Sequence, residues 1–93
     1  MKARLARVVR ALMDENEWGQ MDLAKAGGLS QKTVSNLLSQ THLPGIVNLE
    51  GIASAFGVPS WVLLHAPAVE EALAHPGQVQ HYLREYAKRL KHG

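Results

Sequence analysis

The sequence predicts an all-α protein: five core helices followed by a C-terminal helical extension. Two observations carry this. Apolar residues recur at helical spacing in almost every segment, and no window alternates apolar and polar residues as a strand does. A third supports it: glycine, proline and capping residues punctuate these segments at short intervals. Ninety-three residues at 10.2 kDa allow a single domain. A chain of this mass buries on the order of 64% of its surface on folding, giving a real but thin core with little room for a deep cavity.

Leu5, Val8, Val9, Leu12 and Met13 fall on one face of a first helix, with Arg4, Arg7 and Arg10 largely off it. Asn16 and Gly19 break that pattern. A second helix is predicted from Gln20, with Asp22 in its first turn, ending at Gly27-Gly28. Ser30 is suited to cap a third helix, which runs to about Ser39 and buries Val34, Leu37 and Leu38. After the loop Gln40–Gly45, Leu49, Ile52, Ala53 and Phe56 form the inner face of a fourth helix stopping at Gly57. Pro59 suits the first position of a fifth, with Trp61, Leu63 and Leu64 available for packing. Pro67 and Pro76-Gly77 bound a short segment containing Val69, Ala72 and Leu73, and Gln78–Lys91 is periodic again. Residues 1–66 are therefore expected to form the main unit, with 67–93 an extension of the same compact body.

Composition excludes several functions. There is no cysteine, which rules out disulfides, zinc ribbons, thiol nucleophiles and iron–sulfur sites. The apolar run Trp61-Val62-Leu63-Leu64 falls far short of the roughly 18 residues a membrane span needs. The N-terminus lacks the apolar block of a secretion signal, so a cytoplasmic protein without membrane contact is expected. His42, His65, His75, His81 and His92 show no metal-ligand spacing, and adjacent Glu70 and Glu71 would point about 100° apart on a helix. No catalytic constellation or phosphate-binding glycine loop is present. The expectation is a non-enzyme with no metal and no small-molecule cofactor.

Net charge is only +2, but it is unevenly placed. Residues 1–13 carry Lys2, Arg4, Arg7 and Arg10 and no acid, and residues 14–22 carry four acids and no cation. Lys25 through Leu49 is free of carboxylates, and the last eighteen residues set four cations against Glu85. An acid-free middle between basic ends suggests a surface that meets an anion.

The informative segment is Gln20–Leu38, QMDLAKAGGLSQKTVSNLL. Two short helices crossing steeply through a tight turn need a small residue at the crossing, a glycine able to take positive φ, and apolar residues closing the angle. Ala24, Gly28, and Leu23, Leu29, Val34 and Leu37 supply these at fixed offsets. The outer face of the second of these helices offers Gln31, Lys32, Ser35, Asn36 and Ser39, with one cation and no acid. Gln and Asn can bond bidentately to adenine, and Lys suits guanine. Free N–H groups at the start of the first can receive a phosphate.

With Leu23-Ala24, Gly28-Leu29-Ser30, Thr33-Val34-Ser35, Pro44, Leu49, Ile52-Ala53, Phe56-Gly57-Val58 and Leu63-Leu64, residues 5–64 resemble the bacterial and phage repressor/Cro-like helix-turn-helix family. The resemblance implies a five-helix repressor-like domain whose third helix enters the major groove. By position it assigns Ser30, Gln31, Lys32 and Asn36 to bases, and Gln20, Thr33, Ser35, Thr41 and His42 to the DNA backbone. Three departures stand out. Gly27 replaces a larger residue, which predicts a looser end to helix two. Leu38 replaces the Glu that pairs with an Arg of helix one in many members, so that ion pair is expected to be absent. The stretch Asp14–Trp18 is also a few residues longer than in the shortest members.

Arg4, Arg7 and Arg10 fit either solubility or phosphate contact, and Trp18 and Trp61 either core or interface. Val79, Leu83, Tyr86 and Leu90 are spaced as a coiled-coil seam, too short to stand alone. This seam, with Trp61 and Leu64, either packs on its own domain or meets a second subunit. The expected function is a transcriptional regulator, a repressor reading a double-stranded palindromic operator as a homodimer. The alternative is an antitoxin- or adaptor-type protein that binds a protein partner.

Overall fold

The computed structural model describes residues 2–39 and 44–92. Among them the chain forms seven helices: α1 Lys2–Asn16, α2 Gln20–Gly27, α3 Gln31–Leu38, α4 Ile46–Phe56, α5 Ser60–Leu64, α6 Ala66–Leu73 and α7 Val79–His92. No described residue is in a strand. The all-α architecture of five helices plus a helical extension is what the periodicity predicts, with the extension built as the α6–α7 hairpin.

The helix ends follow from local chemistry. Gly28 and Gly57 close α2 and α4 in the left-handed conformation, at φ 65° and 68°. Glu17 takes the same conformation after α1, at φ 57°, where the Trp18 N–H reaches back to the Met13 carbonyl at 2.9 Å. Pro59, expected inside the start of α5, is instead the residue before it, because its extended ψ of 145° places Ser60 first.

One cluster of buried apolar side chains runs through all seven helices, from Leu5, Val9 and Leu12 of α1 to Val69 of α6 and Leu83 of α7. Trp18 stacks on Phe56, ring centroids 5.2 Å apart, closing the α1–α2 corner over α4. Within α5 the buried residues are Val62 and Leu63, whereas Trp61 and Leu64 remain exposed at 42% and 37%.

The seam of α7 requires a correction. Val79 and Leu83 are 1% and 0% exposed, packed inside the chain's own core, and cannot serve as a subunit contact in the folded chain. The α6–α7 hairpin folds back so that this face meets α1 and α6. A coiled-coil seam and a helix packed on its own domain share the same 3–4 spacing, so periodicity alone does not separate them. Tyr86 is half-buried, its hydroxyl 3.1 Å from His65 Nε2, and Leu90 beyond it is exposed.

A polar latch seats α7. Both carboxylate oxygens of Glu15 accept backbone N–H groups at its start, Oε1 from Val79 and Oε2 from Gln80 at 3.1 Å. An acid there meets otherwise unpaired donors and the positive end of the helix dipole. Asn16 donates to the Gln80 amide oxygen at 3.0 Å. Gln80 and Arg84 both donate to the Phe56 carbonyl, at 2.8 and 3.2 Å, satisfying the C-terminus of α4. The long Asp14–Trp18 stretch thus provides a last turn of α1 that reaches α7.

Candidate nucleic-acid interface

The α2–α3 pair is built as its sequence requires. Leu23 and Ala24 are buried at the crossing, and the Leu29 N–H returns to the Ala24 carbonyl at 2.8 Å around Gly28. Ser30 caps α3: its hydroxyl accepts the Thr33 N–H at 3.0 Å and lies 2.8 Å from the Thr33 hydroxyl. The Ser30 hydroxyl, assigned to base reading from the resemblance, is therefore engaged in this cap in the unbound chain.

At about 100° per residue, Val34, Leu37 and Leu38 share one arc of α3 and are buried, while Gln31, Lys32, Ser35 and Asn36 share the opposite arc. Gln31, Lys32 and Ser35 are exposed, with Asn36 and Thr33 at the edge. Among the described residues, the side chains of Gln31, Lys32 and Asn36 have no hydrogen-bond or ion-pair partner. Solvated amides and an ammonium on one face, with no carboxylate between Lys25 and Leu49, can present donors and acceptors to base edges.

Gln20 is the first residue of α2 and exposed, where a phosphate contact requires it. The neighbouring Gly19 N–H is already taken by the Asp22 carboxylate at 2.8 Å. That acid offsets part of the positive field at this helix start, leaving the Gln20 side chain and the next N–H groups for an anion. Thr41 and His42 lie outside the described residues.

The three arginines of α1 have protein partners. Arg4 and Arg7 lie 3.4 and 3.8 Å from Glu70 of α6, in exposed pairs that contribute little stability. Arg10 donates to the Leu38 carbonyl at 3.0 Å. The resemblance implies that Leu38 leaves the helix-one Arg without a carboxylate; the backbone oxygen of Leu38 receives Arg10 instead.

The looser end expected from Gly27 is not what forms. Gly27 and Gly51 bring α2 and α4 into backbone contact, so that a Cβ on Gly27 would lie 2.8 Å from the Gly51 oxygen. Sequence reasoning missed Gly51, the Glu15–Gln80 latch and the Leu38 carbonyl. A glycine in mid-helix was the only available signal for the first.

A helix pair joined by a tight glycine turn, with a solvated, acid-free second helix, is the arrangement of a helix-turn-helix DNA-binding regulator. The defining sequence pattern of the helix-turn-helix family, of the Cro/CI type, matches residues 9–60, more than half of the chain, and the protein belongs to that family. Searches of curated proteins and of solved structures gave no match. No helix among the described residues is long and apolar enough to cross a membrane.

Proposed function

We propose that this regulator is a repressor that binds a palindromic operator as a homodimer. The observation that carries the reading is the outer arc of α3, where the side chains of Gln31, Lys32 and Asn36 have no partner among the described residues and the sequence from Lys25 to Leu49 holds no acid. In this reading those three side chains read bases, while Gln20, Thr33 and Ser35 with Thr41 and His42 hold the backbone. Two-fold symmetry sets the two α3 helices in successive major grooves, about one helical turn apart. The subunit contact is assigned to the exposed members of the α5–α7 face, Trp61, Leu64 and Leu90, with Tyr86 beside them.

Selection of bound duplexes from a random pool, at near-physiological salt, tests this. Enrichment of an inverted repeat with half-sites about one turn apart is the expected result. A single half-site removes the homodimer, and no enrichment removes sequence-specific reading.

One observation favours a second reading, in which a protein partner occupies the same face. A cleft of about 620 Å3 between α5 and α7 has an apolar lining from Pro59, Trp61, Ala87 and Leu90, with Arg84 and Lys88 beside it and no acid among its described lining. That chemistry suits an acidic, apolar segment of another protein. Co-purification with a second polypeptide, lost in Lys88→Glu, supports it; a chain that purifies alone and selects an inverted repeat removes it.

A further inference from the structure

We propose that Arg10 is a positioning residue for the DNA-reading helix, orienting α3 through the Leu38 carbonyl, and is not one of the cations that meet phosphate. The inference rests on the operator-reading proposed above and gives that reading a residue outside the groove-facing helix.

Helix α3 is eight residues long, about two turns, and its outer arc is polar and solvated. What holds it is the apolar arc of Val34, Leu37 and Leu38, and burial of apolar surface has no directional preference. A two-turn helix resting on three aliphatic side chains can roll or slide by a fraction of a turn at little cost. Base reading does not tolerate that, because bidentate bonds from Gln31 and Asn36 require their amides to lie in the plane of a base edge.

Directional contacts stand at both ends of the helix. At the N-terminal end, the Ser30 hydroxyl and the Thr33 N–H set where α3 begins, at 3.0 Å. At the C-terminal end, the carbonyls of the last turn lack intrahelical partners. Ser39 N–H returns to Ser35 at 3.0 Å, and the Leu38 carbonyl is met by Arg10 Nη2 at 3.0 Å. Arg10 stands on α1, the longest helix, whose Leu5, Val9 and Leu12 sit in the centre of the core. The planar guanidinium, always charged and drawn to the negative end of the helix dipole, therefore ties the short DNA-reading helix to the long α1.

The contact commits Arg10 Nη2 to the Leu38 carbonyl of α3, whereas the described groups suited to phosphate, Gln20 and the first N–H groups of α2, stand on a different helix.

The test measures affinity for the selected operator duplex and for an unrelated duplex across a salt series, with thermal midpoints, for wild type, Arg10→Ala and Arg10→Lys. Arg10→Ala is expected to weaken operator binding about tenfold, to leave non-specific binding unchanged and to keep the wild-type salt slope. Arg10→Lys, which keeps the charge but not the planar fork, is expected to recover only part of the discrimination and provides the comparison if Arg10→Ala fails to fold. A slope shallower by about one, with both duplexes weakened alike, makes Arg10 a phosphate contact and overturns the proposal. A lowered midpoint with unchanged discrimination makes Arg10 merely structural and also overturns it. A wild-type chain that prefers no duplex overturns the operator reading itself, a result distinct from either.

Discussion

Gly51 and Gly27 face each other so closely that a Cβ on Gly51 would lie 2.5 Å from the Gly27 carbonyl oxygen. Two helices that touch backbone to backbone carry the end of α2 against the middle of α4. This sets the base from which the turn at Gly28 launches α3. Gly51→Ala would gain helix propensity, about 1 kcal/mol, yet it forces a backbone clash. The expected result is a net loss of about 1–3 kcal/mol, or a melting midpoint lower by roughly 4–8 °C per kcal/mol. A midpoint that rises would show that the helices separate freely.

Glu17 offers the opposite case. It holds φ 57° after α1, a conformation that costs a residue with a side chain roughly 1–2 kcal/mol. Glu17→Gly is expected to raise the midpoint by several degrees, read by circular dichroism. An unchanged or lower midpoint would mean that the Glu17 side chain stabilises the fold by as much as its backbone strains it.

Glu15 seats α7 through the N–H groups of Val79 and Gln80. Glu15→Ala leaves those donors unpaired and is expected to destabilise by about 1–2 kcal/mol, with Glu15→Gln losing less because it keeps an acceptor. Hydrogen exchange should show the loss concentrated in α7. Uniform loss across the chain would assign Glu15 a different role.

The buried and exposed ends of the α7 seam should respond differently. Leu83→Glu places a charge in the core and is expected to unfold the chain, whereas Leu90→Glu, at a position 53% exposed, leaves helical circular dichroism intact. Light scattering on the Leu90→Glu variant then reads the subunit contact. A folded Leu90→Glu chain that remains dimeric excludes that contact.

On DNA, Asn36→Ala is expected to cost about 1–3 kcal/mol and to relax preference at one base position. Competition between operator variants measures both. Unchanged affinity and preference would remove Asn36 from base reading.

Much of this was legible in the sequence because short-range chemistry fixes it. The Gly28 turn, the Ser30 cap and the solvated arc of α3 each depend on residues within five positions of one another. Gly27 predicts a loose helix end from sequence because its partner, Gly51, stands twenty-four positions away. Val79 and Leu83 fit a seam for either surface because a period of 3.5 records that one face is apolar, not which body covers it.

Local chemistry is enough to set the helices, the turn between α2 and α3, and which side chains of α3 face outward. Periodicity and capping are local and survive any arrangement of the remaining chain. Packing of distant segments sets the partners of the arginines and Glu15 of the first helix: Arg10 meets the Leu38 carbonyl, Arg4 and Arg7 meet Glu70, and Glu15 meets the start of α7. A charged side chain takes its partner from whatever the packed core brings within reach, and in every one of these pairs that partner lies more than twenty residues away.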